Sequence, residues 1–325
     1  MKPTKRWLSA LLSLLMLLTV FIGAAAEAPD LTEEELAEID EALLDESKDL
    51  PVREDFRIQV SPDDLSVAEG LDPDWMNILL LGTDTGKIEL NYGRTDTMII
   101  LSVNKVTGKM RLSSLVRDMQ VNLPIINRLA KINTANAYGG PLLAVKTVNE
   151  ALGLNIRHYV SINFNGFKKV IDNLGGVELT LRSAEAQIVK VPYSEEPVLL
   201  NGFQALEYVR IRQLDDNFGR NERQRKLLTS LFNKMLRNAN MQQAMEALSE
   251  SLKHMATNLS INDLLALVVP VFTGMEDMDT AGFPVAGDYQ GKYDDRLRAV
   301  IVFDHEKTQQ KLHDYIYQGT TYDNP

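Results

Sequence analysis

No cysteine occurs in the 325 residues. That excludes disulfides, thiolate metal sites and cysteine nucleophiles together, and it suits a chain exported to fold without oxidative help. Histidine is nearly as scarce. The four residues, His158, His254, His305 and His313, have no metal-ligand spacing. There is no G-x-S-x-G elbow and no phosphate-binding P-loop. Internal repeats and low-complexity tracts are also missing. A net charge of −11 leaves no overall basic face, which argues against generic nucleic-acid binding.

The acidity is local. Residues 27–75 carry a net −15, residues 1–26 carry +3, and residues 76–325 carry +1. A hydrophobic content of 45% supports a real core. At the start, the basic "MKPTKR" precedes the uncharged "WLSALLSLLMLLTVFIGAAA". This reads as a signal peptide ending at Ala24 and Ala26, cleaved before Glu27, or as a membrane anchor of about 20 apolar residues. In either form the rest of the chain is expected outside the cytoplasm.

Residues 27–75 are expected to form an acidic helix and a linker. Thr32 and Glu35 make a capping box at the start of a short helix over 30–47. From Lys48 to Asp74 the chain is polar and aperiodic, which predicts a linker or a loosely held arm. The folded domain is expected to start at Met76. "NILLLG" (77–82), "TDTMIILSVN" (95–104) and "KMRLSSLV" (109–116) read as strands bounded by turn residues. A helical stretch follows over 133–153, broken at Gly139 and Gly140, and then a strand near 157–163. "NGFKKVIDNLGG" reads as a helix and "VELTL" (177–181) as a strand. Leu227, Leu228, Leu231, Phe232, Met235 and Leu236 fall on one face of a long helix. Further helices are expected over 241–255 and from Ser260, with "RAVIVF" (298–303) a strand before a last helix capped by Asp304. Strands alternating with helices predict a layered α/β domain.

Charge gathers at the ends of these strands. Asp84 follows the first; Arg94 and Asp96 lie two apart and share a face if that piece is extended. Arg117 and Asp118 close the third strand. Arg210 and Arg212 are again two apart, and are read as projecting together from an extended segment. Arg220 and Arg223 sit three apart at the start of the long helix, where free N–H groups favour anions. Guanidinium forks bind phosphate in bidentate fashion. Five arginines between 210 and 225 therefore suggest a polyanion such as a pyrophosphate, and the carboxylates beside them suggest a divalent metal. Ordinary pairing of Arg210 and Arg212 with nearby acids is an equal reading, and Arg225 reads as part of a solvated face.

In family order, "ILLLGTD", "GRTDTMIILSVN", "LSSLVRDMQV", "KINTANAYGGP", "FKKVIDNLGGVEL" and "LNGFQALEYVRIR…FGRNERQR" resemble the LytR–CpsA–Psr proteins of bacterial envelopes, over roughly 76–238. The resemblance implies an α/β/α domain with a mixed central sheet and an apolar lipid pocket, completed by residues 239–325. It implies an Mg²⁺-dependent phosphotransferase that moves an anionic glycopolymer (teichoic acid, capsular or related polysaccharide) from a polyprenyl-pyrophosphate carrier to peptidoglycan. Carried over by position, Asp84, Asp96 and Asn217 would sit at the metal. Arg94, Arg117, Lys131, Arg210, Arg212, Arg220 and Arg223 would serve the pyrophosphate, with Gln224 beside them. Asp96, Arg117, Arg210 and Arg212 would be the catalytic set, Asp96 as the base. Asn217 departs from the family's usual aspartate in "DFGR", so the third ligand there would be a neutral amide. A hydrolase of the same lipid-linked glycan, or a non-catalytic binder of envelope polyanions or prenyl lipids, would use the same pocket.

Overall fold

A computed structural model of the chain describes residues 58–84, 93–238, 246, 249–274 and 278–322. The expected acidic helix over 30–47, the leader, and residues 241–245 and 247–248 of the helix expected over 241–255 lie outside them; residues 246 and 249–252 are helical.

Three apolar runs form the centre of the sheet. Strands β1 (Trp75–Thr83), β2 (Thr95–Asn104) and β3 (Met110–Leu115) pair antiparallel in sequence order. Their side chains alternate between two apolar faces. Leu79, Leu81, Met98, Ile100 and Leu115 enter one core, whereas Ile78, Ile99, Leu101, Val103, Met110 and Leu112 enter another. A strand buried on both faces must be apolar nearly throughout, which is why these runs show no polar alternation.

After β3 come a hairpin of β4 (Gln120–Leu123) and β5 (Arg128–Lys131), then helix α1 (Ala135–Leu152) and strand β6 (His158–Asn163), which joins β1 in parallel. Helix α2 (Phe164–Asn173), strand β7 (Val177–Leu179), helix α3 (Ser183–Val189), strand β8 (Val198–Leu200), helix α4 (Gly202–Val209) and helix α5 (Asn217–Asn238) follow. Strand β9 (Ala256–Thr257), helix α6 (Ile261–Gly274) and strand β10 (Asp279–Phe283) lead to a second hairpin, β11 (Tyr289–Asp294) and β12 (Arg298–Phe303), and to helix α7 (His305–His313). Asp304 caps α7, accepting from the Lys307 N–H at 3.1 Å.

The central sheet runs β10-β3-β2-β1-β6-β9, with parallel and antiparallel pairs mixed. Helices α1 and α7 share the first core. On the opposite face, α5 and α6 close the second, and α2 to α5 build a separate small core with β7 and β8. The layered α/β/α arrangement is as expected. "RAVIVF" is a strand, but it pairs with β11 in a sheet of its own; β12 touches the body through the Ile301 N–H, which donates to the Asp118 carbonyl at 2.8 Å.

The folded part begins earlier than Met76. Ile58 and Leu65 are buried in the first core, the Ile58 N–H donates to the Tyr138 carbonyl at 3.0 Å, and Ala68 N–H to Leu154 at 3.0 Å. Lys146 holds Asp64 at 2.7 Å. Residues 58–74 are thus a packed strap, because two apolar anchors outweigh the polar composition between them. Gly139 belongs to this contact: a Cβ there would fall 2.7 Å from the Ile58 carbonyl oxygen. Together with Gly140 at φ +70° it opens α1 where the strap crosses, so this pair does more than turn the chain. Leu65→Ala is expected to cost about 2–4 kcal/mol in urea unfolding; an unchanged midpoint would return residues 58–74 to the status of a linker.

Candidate functional site

At one edge of the cavity between the sheet and α5, the ends of β1, β2 and β3 bring charge together. Asp84 follows β1 and meets Arg94, with Nε 3.2 Å from Oδ2. Burial pushes the Asp84 carboxyl up; Arg94 draws it down, and the negative charge of Asp96 raises it further. Asp96, the second residue of β2, is bridged by two guanidiniums: Arg117 Nη1 at 2.6 Å from Oδ1 and Arg212 Nη2 at 3.0 Å from Oδ2. Burial would raise this carboxyl too, but Arg117, Arg220 and Arg212 together hold it below the usual range.

Asp118 forms a second node. Lys131 Nζ lies 3.1 Å from its Oδ1, Arg117 Nε 3.6 Å from its Oδ2, and Asn217 Nδ2 donates to Oδ2 at 2.6 Å. Asn217, expected as a metal ligand, therefore commits its amide nitrogen to Asp118 at the start of α5. A neutral amide satisfies this carboxylate, whereas an aspartate in its place would face another negative charge.

Arg210 and Arg212 do not project from a strand. Arg210 is the C-cap of α4, in helical geometry, and its guanidinium lies over the Phe164 ring, 4.4 Å from the centroid. Both arginines reach the cavity. Arg220 and Gln224 reach it as well, one turn apart on α5. Arg220 is 2% exposed, and its Nε and Nη2 have no hydrogen-bond partner. Burial first, then repulsion from Arg117, brings its pKa down to about 10, so it stays charged at neutral pH. Gln224 Oε1 is also buried without a partner.

Arg223 turns elsewhere. Its Nη2 donates to Asp215 Oδ1 at 2.5 Å and to the Ile211 carbonyl at 2.7 Å, and Glu185 lies 3.5 Å away. It orders the loop between α4 and α5, and the expectation that it holds substrate is corrected. Arg225 is not on a solvated face either: it is 4% exposed and donates to Ser114 Oγ on β3. Sequence reasoning noticed Asp118 but gave it no role, and missed Phe164. The signal for Asp118 was its place beside Arg117; nothing in the sequence marks Phe164 as a platform for Arg210.

Behind this polar edge lies a cavity of about 360 Å³ with an almost wholly apolar wall. Ile78, Leu101 and Met110 line it from the sheet, Ile171 from α2, and Leu228 and Phe232 from α5. The site thus joins an anion-holding edge to a hydrophobic chamber, which matches an amphiphile with a charged head. Among the described residues no group of three or more His, Cys, Asp or Glu could hold a metal ion.

Comparison with known proteins agrees with this geometry. A teichoic acid transferase of Enterococcus faecalis, named as polyisoprenyl-teichoic acid–peptidoglycan transferase TagU, is 37% identical over 191 residues, 58% of this chain and 63% of that protein. Biofilm regulatory protein A of Streptococcus mutans is 34% identical over 62% of this chain and 53% of its own length. The chain thus spans between half and two thirds of these curated relatives. Among solved structures, TagT bound to LIIa-WTA superposes with a TM-score of 0.62 and 25% identity, over 78% of this chain and 94% of that one. The model of the LytR_cpsA_psr family matches residues 34–313. With the strand order, the arginine-edged cavity and the ordered motifs all in accord, the chain belongs to the LytR–CpsA–Psr family.

Proposed function

We propose that this protein transfers a glycan phosphate from a polyprenyl-pyrophosphate carrier to a hydroxyl of peptidoglycan. One observation carries the reading: a buried guanidinium, Arg220, with two unpartnered nitrogens, set beside Arg117 and Arg212 at the mouth of an apolar cavity. Such a charge is costly alone and favourable against phosphate oxygens. The names and titles of relatives, as teichoic acid transferases and as a wall-teichoic-acid complex, support the same substrate class.

In the reaction, the acceptor oxygen forms a bond to the glycan-side phosphorus, and the P–O bond to the lipid phosphate breaks. Polyprenyl phosphate leaves with the electron pair. Arg117, Arg212 and Arg220 stabilise the charge that moves onto the leaving phosphate, and Arg210, fixed on Phe164, orients it. Asp96, held low by guanidiniums, is a poor proton acceptor; its part is to position Arg117 and Arg212. The acceptor proton passes to solvent water, because Asp96 is held low and Asp84 is one of the two carboxylates that would hold a cation.

Asp84 and Asp96 fit Mg²⁺: both are hard oxygen donors, and their mutual repulsion is what a cation would relieve. They would hold it with phosphate oxygens, and it would supply charge neutralisation. Asn217 is hydrogen-bonded to Asp118, which Arg117 links to Asp96.

The decisive experiment incubates the full-length protein with a polyprenyl-pyrophosphate glycan, peptidoglycan fragments and Mg²⁺, and searches by mass spectrometry for glycan joined through a phosphodiester. Free glycan phosphate alone would replace the transferase with a hydrolase; bound but unchanged lipid would leave a binding protein. Replacing Arg210 and Arg212 together with alanine should lower affinity for the pyrophosphate lipid by about a hundredfold or more, from two lost charge-assisted contacts. Affinity equal to the wild type would remove these residues from the head-group site. The acceptor requires an extracytoplasmic address, and residues 1–26, which would supply export or anchoring, lie outside the described residues.

A further inference from the structure

Helix α6 has an unusual distribution of side chains. Its only charged residue is Asp263, which is tied to Ser260 in the first turn, with 2.6 Å between Ser260 Oγ and Asp263 Oδ2. Leu264, Leu267, Val268 and Val271 face inward and line the cavity. The opposite stripe, Asn262, Ala266, Val269 and Thr273, is exposed and uncharged, with Val269 49% exposed. A soluble helix normally carries charge on its outer face, and one that is apolar all round is normally covered. Here one helix thickness separates the lipid-sized cavity from the outside.

The turn between β2 and β3 extends this surface. A Cβ on Gly108 would collide with the Pro270 carbonyl, and one on Gly274 with the Thr107 carbonyl, so turn and helix pack backbone to backbone. This close approach holds the turn that carries Val106, 70% exposed, against the C-terminal half of the helix that carries Val269. Exposed aliphatic side chains gathered this way mark an interaction surface. Among the described residues, charges of both signs border it. Lys105 is exposed on the turn, its N–H donating to the Asp74 carbonyl, and Lys109 lies 3.8 Å from Asp279. A highly charged partner is therefore not what the patch fits.

We propose that the outer face of α6 and the tip of the β2–β3 turn seat on the surface of a lipid bilayer, and that the prenyl chain passes between bilayer and cavity beside α6. At 14 residues the helix is about 21 Å long, too short to cross a hydrocarbon core of about 30 Å. It lies on the membrane, not through it, and among the described residues no helix is long and apolar enough to span. The passage of the chain rests on the lipid-donor reading of the cavity; the seating does not.

The absence of cysteine makes the test direct. Val106→Cys, Val269→Cys and, as an exposed control on β11, Tyr293→Cys are each labelled with a fluorophore in the full-length protein. The protein is reconstituted into phosphatidylcholine–phosphatidylglycerol vesicles in which a fraction of the lipid carries a nitroxide on its acyl chain. Labels at 106 and 269 should lose most of their emission and the label at 293 little, with small dependence on salt. Equal quenching at all three positions, or none at 106 and 269, overturns the seating. No turnover enters this measurement, so it stands or falls apart from the transferase reading. In a second arm, Val106→Asp with Val269→Asp should slow turnover of a long-chain donor in vesicles by about tenfold or more, from two unburied valines. A short-chain donor in detergent should be used at the wild-type rate; equal loss for both donors overturns the passage beside α6.

Discussion

Arg220→Met should abolish transfer of the lipid-linked glycan and leave the protein as stable as the wild type or more so. Ordinarily a buried residue is replaced at a cost. Here the side chain is 2% exposed, Nε and Nη2 are unpartnered, and Arg117 and Arg212 repel it. Asp96 and Asp118 attract it, yet the balance still disfavours the charge. Replacing a poorly compensated buried ion with an apolar side chain of similar length is expected to be neutral or to stabilise by about 1–4 kcal/mol. The catalytic loss should be about 10²–10³-fold, the usual effect of removing one group that stabilises developing charge. Inorganic pyrophosphate gives an independent check. It should raise the melting temperature of the wild type by mass action and that of Arg220→Met far less. Arg220→Lys should recover charge without the fork, and so only part of the activity. A variant that melts well below the wild type, or that still transfers glycan at the wild-type rate, would make Arg220 a structural residue.

The different fates of Arg220 and Arg223 show where sequence reasoning reached its limit. Residues three apart on a helix are neighbours, and the pair was expected to share a ligand. Three residues turn a helix by about 300°, so the two side chains still diverge by about 60°. That is enough to send Arg223 to the loop at Asp215 while Arg220, in line with Gln224, enters the cavity. Arg225 failed for another reason. Charge alone predicts exposure, and only the close approach of α5 to β3 provides Ser114 as a partner.

What was legible has a common cause. β2 spans Thr95–Asn104, the limits read from its apolar run, because turn residues stop pairing at both ends. The apolar face of α5 was visible in its spacing, although the spacing could not say that Leu228 and Phe232 would border a cavity instead of filling a core. The β4–β5 hairpin was invisible. Its strands have four residues each, and its turn uses Ile125 and Asn127 at positive φ without a glycine. "YVRIR" misled for a related reason: alternation over five residues imitates a strand, while the capping box at Asn201 and Gln204 starts a helix that runs to Val209. Long-range partners decided each case that local pattern could not.

Asp96→Asn should cause the largest loss of stability of any single change in the site. The carboxylate holds Arg117 and Arg212 and lies close enough to Arg220 to be pulled down by it. An amide keeps the shape but removes the charge that compensates three guanidiniums. Breaking such a buried arrangement costs about 3 kcal/mol or somewhat more; partial exposure of Arg212 keeps it toward the lower figure. The pH dependence carries the sign of the effect. A carboxyl depressed in the folded state stabilises fully above its unfolded value, near 3.8, and loses that contribution as pH falls through the folded value. The gap between wild type and Asp96→Asn should therefore be constant near neutrality and close in acid. Anions should act in the opposite sense to the case of Arg220→Met. With the carboxylate gone, pyrophosphate takes its place among the guanidiniums, so the variant should gain more melting temperature from pyrophosphate than the wild type does, while turnover falls because Arg117 and Arg212 are no longer positioned. In the double variant Asp96→Asn with Arg220→Met, part of the repulsion is removed with its source, and the loss should be smaller than that of Asp96→Asn alone by about 1 kcal/mol or more. Strict additivity of the two changes, with Arg220→Met neutral by itself, would mean that Asp96 and Arg220 do not share one electrostatic site.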